Sequence, residues 1–137
     1  RGFVRQVEYA GLAAQLDALA AQLPPEAVLL FDDQAPVGQG DVWGTPLRFV
    51  YGHDVFTLRR PPAEVAPALV QTIKTWQNSG RPVVWIGPTE WLDAQGFAYR
   101  AEPVALRRIS LESSFDHKPQ AINDEKTTLQ VNYLESE

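Results

Sequence analysis

The chain has 137 residues, of which 45% are hydrophobic and 21% charged, and its net charge is −5. This size and composition predict one globular domain, spanning residues 1–137, with a core of its own. The lack of cysteine excludes disulfides, thiol catalysis and thiolate metal sites, and the dispersed charge argues against nucleic acid as a partner.

The start of the chain suggests a piece of a longer protein. The sequence contains no methionine and begins with Arg1, whereas an intact reading frame starts with Met. No run approaches the eighteen apolar residues that a membrane span needs. We therefore expect a soluble fragment, excised from a larger protein.

Three short apolar runs predict buried strands. They occupy residues 27–33 (AVLLFDD), 54–58 (DVFTL) and 83–86 (VVWI). An unbroken apolar run of this length is typical of a strand covered on both faces. Because helical segments separate the runs, we expect parallel pairing with right-handed crossovers.

Helical patterns precede and separate these strands. Residues 8–23 carry leucines at positions 12, 16, 19 and 23, which form one stripe of a helix that Pro24 should stop. Further helices are predicted over residues 44–52, 64–78 and 89–94. Thr45 and Thr89 are the expected caps of the first and last of these three.

The pattern changes after residue 97. Residues 104–111 predict a long strand with a local irregularity, and residues 128–133 alternate as a half-exposed strand does. The polar segment 113–126 predicts a long loop between them. The resulting prediction is a three-layer α/β sandwich, with a mainly parallel Rossmann-like sheet and an antiparallel C-terminal edge pair.

Ligands in open α/β sheets gather beyond the carboxyl ends of the strands. Polar residues in such positions, or in the loop after the first strand, are candidate ligand contacts: Asp32, Asp33, Asp41, Arg59, Thr89 and Glu90. Carboxylates there suit a divalent cation, but adjacent acids after a strand also cap turns and helices. Since Asp32 and Asp33 do not form the Asp-x-Asp pattern of phosphatases, we predict no resident metal and no cofactor.

Aromatic residues offer a second kind of contact. Trp43 falls in a predicted loop, where its ring could stack on the apolar face of a sugar. Trp76 and Trp85 fit the core better, because large aromatic side chains dominate core burial. His53 lies at the entry to the second strand and is not in a metal-ligand spacing.

Two stretches resemble a known family. Residues 41–55 (DVWGTPLRFVYGHDV) resemble the segment after the first extracytoplasmic strand in the C-terminal soluble domains of large bacterial polytopic membrane proteins. These proteins are membrane glycosyltransferases of the GT-C type, similar to dolichyl-phosphate-mannose-dependent mannosyltransferases. The tail, residues 108–134, resembles their endings.

The resemblance implies an accessory role. In that family the catalytic acidic residue lies in a loop between the first membrane spans, so no catalytic residue is assigned in this chain. The domain would lie outside the cytoplasm, next to the membrane-spanning part of its parent chain. It would contact a glycan or a lipid-linked sugar through Trp43, Arg48 and the edge that carries Asp32 and Asp33.

Two other functions remain open from the residues. One is a free-standing metal-dependent hydrolase or transferase that uses the carboxylates at the strand ends. The other is a structural interaction module that docks through an apolar surface patch and binds no ligand.

Overall fold

The structure, a computed structural model, describes residues 6–10, 12–32, 44–114 and 117–136, with side chains over 14–32, 44–106 and 128–136. A 3₁₀ turn, Pro62–Val65, precedes the third helix. The elements in chain order are β1 (Gln6–Ala10), α1 (Leu12–Gln22), β2 (Val28–Asp32), α2 (Thr45–Phe49), β3 (Asp54–Leu58), α3 (Ala66–Asn78), β4 (Val83–Ile86), α4 (Glu90–Gln95), β5 (Tyr99–Ala101), β6 (Val104–Ser114), β7 (His117–Leu129) and β8 (Val131–Leu134).

A five-stranded mixed sheet forms the centre of the domain. Its order is β3-β2-β4-β8-β5. β2 pairs in parallel with both β3 and β4, which confirms the prediction that the three apolar runs lie side by side in one direction. β8 is antiparallel to β4, and β5 is antiparallel to β8, so the sheet is parallel only in one part.

Helices cover both faces of this sheet. Leu29 and Phe31 of β2 pack with the buried leucines of α1 and α2, whereas Leu30 packs with Leu69 and Ile73 of α3. Two crossovers of the same hand require this division, because β3 and β4 flank β2 on opposite sides and their connections must then pass over opposite faces. Among the residues that the structure describes, no helix has both the length and the apolar character that crossing a bilayer requires.

The first helix is shorter than its sequence pattern predicts. Residues 8–10 belong to β1, which pairs antiparallel with residues 109–113 of β6, and the helix begins at Leu12. Backbone pairing with a distant strand here overrides the helical period. Further along, Leu16, Leu19 and Leu23 are buried as the stripe predicts.

The C-terminal third differs most from the prediction. The predicted loop was wrong for residues 113–114 and 117–126, because β6 extends to Ser114 and β7 begins at His117 and pairs with β6 in a separate antiparallel sheet of order β1-β6-β7. Pro119 is tolerated there because β7 is the edge strand of that sheet. Register shifts after Ser110 and Glu112 confirm the irregularity predicted in β6.

The predicted strand over residues 128–133 is divided at Gln130. β7 ends in the small sheet at Leu129, and β8 starts in the large sheet at Val131. An antiparallel pair does form one edge of the large sheet, but the partner of β8 is β5 and not residues 104–111. Exposure alternates as predicted over residues 128–131, but β8 is covered on both faces, so the expected half-exposed strand was wrong for β8.

Glycine, not threonine, marks the start of α2. Gly44 holds the N-cap position without a side-chain hydrogen bond, and Thr89 at the N-cap of α4 makes none to its helix backbone either. A Cβ on Gly44 would lie 3.0 Å from Val55 Cγ1 and 3.2 Å from Phe31 Cε2. The first turn of α2 therefore packs directly on the sheet.

Candidate functional site

The three parallel strands end together at one edge of the large sheet. Asp32 pairs with Leu58, and Phe31 pairs with Ile86, so the residues that follow these strands lie side by side. We call this edge, consisting of Asp32, Arg59 and residues 87–90, the carboxyl edge. It brings together four of the residues selected from the sequence: Asp32, Arg59, Thr89 and Glu90.

The ends of β2 and β4 approach each other closely. Asp32 is only 8% exposed. Gly87 has φ +136°, and a Cβ there would lie 2.9 Å from the carbonyl oxygen of Asp32 and 3.0 Å from its Cβ. Only glycine adopts this backbone conformation and leaves this space. β3 lies on one side of β2 and β4 lies on the other, so the helical connections α2 and α3 leave this part of the sheet in opposite directions. The contact between Gly87 and Asp32 lies at this point of divergence, and open α/β sheets bind ligands at such points.

The start of α4 supplies polar groups to the same edge. The Thr89 hydroxyl donates to Asp93 Oδ2 at 3.5 Å, and the Tyr99 hydroxyl donates to Asp93 Oδ1 at 2.7 Å. Asp93 therefore links the beginning of α4 to β5. Glu90 is exposed, so its carboxylate is accessible at this edge.

An aromatic stack lies behind the start of α4. Trp85 is fully buried, as predicted, and its Nε1 donates to Pro88 O at 2.9 Å. Its ring stacks on Trp91 at 5.4 Å between centroids and 19° between planes, and Trp91 contacts Phe97 at 5.9 Å. The buried Trp91 Nε1 has no hydrogen-bond partner among the described residues. The indole edge is thus a donor that the described part of the chain does not use.

Arg48 does not lie at the carboxyl edge. His53 N donates to Leu47 O at 3.1 Å, and His53 Nδ1 lies 3.4 Å from Ala27 O. The last turn of α2 is therefore near the amino ends of β2 and β3, and a five-residue strand spans about 13 Å. Arg48 is exposed there and lies 5.6 Å from the Phe49 ring. His53 is buried against the backbone of residue 27, which is a structural position.

Three of the residues selected from the sequence, Asp33, Asp41 and Trp43, lie outside the described residues. Within the described residues, no three His, Cys, Asp or Glu side chains gather in a group that could hold a metal ion. The contribution of Trp43 to sugar stacking stays a prediction.

A polar groove of about 350 Å³ lies at the opposite edge. It is formed by the carboxyl-terminal ends of α3 and α4 and by the residues after β8. Gln77 Nε2 donates to Glu135 O at 3.4 Å across it. Its polar and aromatic lining includes Lys74, Gln77, Asn78, Gln95, Phe97 and Glu135. Sequence reasoning missed this groove because only the antiparallel placement of β8 brings residue 135 beside α3.

Comparisons of this chain with protein-family models, with curated proteins and with solved structures give no match.

Proposed function

We propose that this domain is a non-catalytic accessory domain of a membrane-bound glycosyltransferase and acts outside the cytoplasm. Its ligand is the acceptor sugar or the lipid-linked donor, and its partner is the membrane-spanning part of the parent chain. The resemblance of residues 41–55 and 108–134 to the soluble C-terminal domains of GT-C proteins supports this assignment.

The strand order of the large sheet supports the proposal that the sugar binds at the carboxyl edge. The order β3-β2-β4, with α2 and α3 on opposite faces, matches the order 2-1-3 of the first three strands in flavodoxin-like doubly wound folds, and we assign this part of the sheet as Rossmann-like in that broader sense. Ligands of such sheets bind outside the strand ends, where Arg59 and Glu90 are exposed. Guanidinium donors and carboxylate acceptors both suit the hydroxyl groups of a sugar.

Glycan binding by the 137-residue chain tests this proposal. Arg59 and Arg48 are both exposed arginines, but only Arg59 lies at the carboxyl edge. We expect Arg59→Gln to weaken glycan binding and Arg48→Gln, the matched control, to leave it unchanged. Trp43→Ala should weaken binding as well, since stacking on an aromatic ring contributes about 0.5–1.5 kcal/mol.

The outcomes separate the possible sites. Equal effects of Arg59→Gln and Arg48→Gln would contradict a site at the carboxyl edge. Loss of glycan binding in Gln77→Ala alone would place the sugar in the polar groove instead. A parent reading frame with no hydrophobic spans before Arg1 would contradict the membrane assignment.

A divalent-cation screen distinguishes the alternative of a metal-dependent enzyme. A metal site built from strand-end carboxylates requires a rise in melting temperature with Mg²⁺, Mn²⁺ or Ca²⁺, because an ion that binds only the folded state stabilises it. The accessory-domain proposal expects no such rise.

A further inference from the structure

The strand β3 is an end strand of the large sheet. In the described part of the chain it pairs with β2 on one side and with no strand on the other. The outward backbone N–H and C=O groups of an end strand are a template for pairing with another strand. Nothing in the proposed function uses this side of the sheet.

A large apolar side chain stands at the midpoint of this strand. Phe56 is the third of the five residues of β3 and is 48% exposed. Its ring lies 5.3 Å from the Trp76 ring of α3, at 32° between planes. The aromatic surface at this edge is therefore held in place by α3 and is only half covered.

We propose that the chain forms a symmetric dimer in which β3 pairs antiparallel with β3 of a second copy. Pairing about the midpoint places Phe56 opposite the second copy's Phe56 and Asp54 opposite its Leu58. The two five-stranded sheets then form one continuous sheet. Such an interface uses the same patch on both copies, as two-fold symmetric dimers do.

The charges flanking the strand favour a second copy in this orientation. Asp54 begins β3, and Arg60 follows its end. In the antiparallel pair, Asp54 of each copy lies diagonally across from Arg60 of the other, at a distance within reach of a long side chain. Parallel pairing would place like charges together.

The ion pair between Asp54 and Arg81 leaves the Asp54 carboxylate accessible to Arg60 of the second copy. Arg81 Nη2 lies 2.7 Å from Asp54 Oδ2, and the Asp54 side chain is still 57% exposed. An ionised carboxylate accepts hydrogen bonds at both oxygens. The edge is thus self-complementary in charge, in backbone hydrogen bonding and at its aromatic centre.

Sedimentation equilibrium of the 137-residue chain tests the dimer. We expect a monomer–dimer equilibrium for the native sequence. Phe56→Glu sets two carboxylates opposite each other at the centre, so it should weaken dimerisation by about tenfold or more. Phe49→Glu is the matched control, because Phe49 is 76% exposed but lies on α2, and it should leave the dimer unchanged. Circular dichroism verifies that both variants are folded.

Cysteine crosslinking tests the register independently, because the chain has no cysteine. Residues directly opposite each other in an antiparallel pair have Cα atoms about 4.5–5.5 Å apart, a distance that suits a disulfide. Phe56→Cys should give a disulfide-linked dimer on mild oxidation, and Phe49→Cys should not. A native chain that stays monomeric, equal weakening by both glutamate variants, or equal crosslinking at both positions would overturn the proposal.

Discussion

The side chain of Asn132 shows how much a single position depends on its surroundings. Its Nδ2 lies within hydrogen-bond distance of Trp85 O at 3.1 Å, Gln130 O at 3.2 Å and Gly87 O at 3.3 Å, so its two N–H groups are shared among three carbonyl oxygens. Alternation along the sequence placed Asn132 on a solvent-exposed face, yet it is 2% exposed. A buried amide is stable because it satisfies carbonyl groups at the end of β4 that water cannot reach.

Gly87 gives a prediction at the same scale. Gly87→Ala should lower the free energy of unfolding by about 1–3 kcal/mol, because the alanine must adopt a positive φ and its Cβ meets the Asp32 backbone. Gly80→Ala is the control, since Gly80 has φ +78° and nothing within 4 Å of a built Cβ. Chemical denaturation measures both. A loss no greater at Gly87 than at Gly80 would show that the close approach to Asp32 contributes nothing.

Two tyrosines should ionise late. Burial raises the pKa of Tyr133, Glu102 raises it further, and Arg100 opposes them. A hydrogen bond to Asp17 is the main cause that raises the pKa of Tyr51. The folded state therefore favours the protonated form of Tyr133. Its contribution to stability is complete below the unfolded pKa of about 10 and is lost as the pH rises through the higher folded pKa.

The absorbance of tyrosinate, followed as a function of pH, shows which tyrosines ionise at a raised pH. We expect a late phase in the native chain that becomes smaller in Tyr133→Phe and in Tyr51→Phe. Persistence of the full late phase in both variants would contradict the assignment.

At the scale of elements, backbone pairing between distant segments decides what local patterns cannot. β1 is a strand because it pairs with β6, although residues 8–10 were predicted to begin the first helix. The predicted strand over residues 128–133 is interrupted at Gln130, so its first part belongs to the small sheet and its second part to the large sheet. In both cases the strand forms backbone hydrogen bonds with a strand edge that would otherwise be unpaired. The free energy of these bonds outweighs the small differences in helix or strand propensity among the residues.

Arg81 links three elements and gives a prediction at this scale. Its backbone N–H donates to Trp76 O of α3, its Nε donates to Glu26 O before β2, and its Nη2 pairs with Asp54 of β3. Arg81→Ala should lower the free energy of unfolding by about 0.5–1 kcal/mol, since the ion pair is partly exposed.

Thermal unfolding at low and high salt measures this effect of Arg81. Arg81→Lys keeps the charge and loses the Nε donor, so its loss should be smaller than that of the alanine variant. The ion-pair part should shrink in high salt because the charges are screened. A loss in Arg81→Ala that does not depend on salt would contradict an electrostatic role.

At the scale of the whole molecule, one sheet separates two apolar clusters. Leu19 lies in the cluster of α1 and α2, and Ile73 lies in the cluster of α3 and α4. β2 contributes alternate side chains to both, so neither cluster is complete without the same strand. We therefore expect the large sheet and its helices to unfold as one cooperative unit.

Truncation on either face tests this cooperativity. Leu19→Ala and Ile73→Ala should each lower the free energy of unfolding by about 2–5 kcal/mol through lost burial and a residual cavity. The exposed Lys74, next to Ile73, is the control, and Lys74→Ala should change little. Circular dichroism and tryptophan fluorescence should report the same single transition in every variant. Separate transitions would mean that the two faces unfold independently.

Sequence alone determined the shared direction of the three parallel strands, the burial of β2 and β4, the helix stop at Pro24 and the burial of Trp85, because these follow from local apolar runs and turn chemistry. The predicted burial of residues 54–58 was wrong, because β3 is an end strand of the sheet and is partly exposed. Tertiary structure decided that Arg48 lies far from Asp32, although both come from the same strand-helix unit. It also decided that β8 joins β4 and buries Asn132. The physical reason is that backbone pairing between distant strands leaves no periodic signal in the residues that form it.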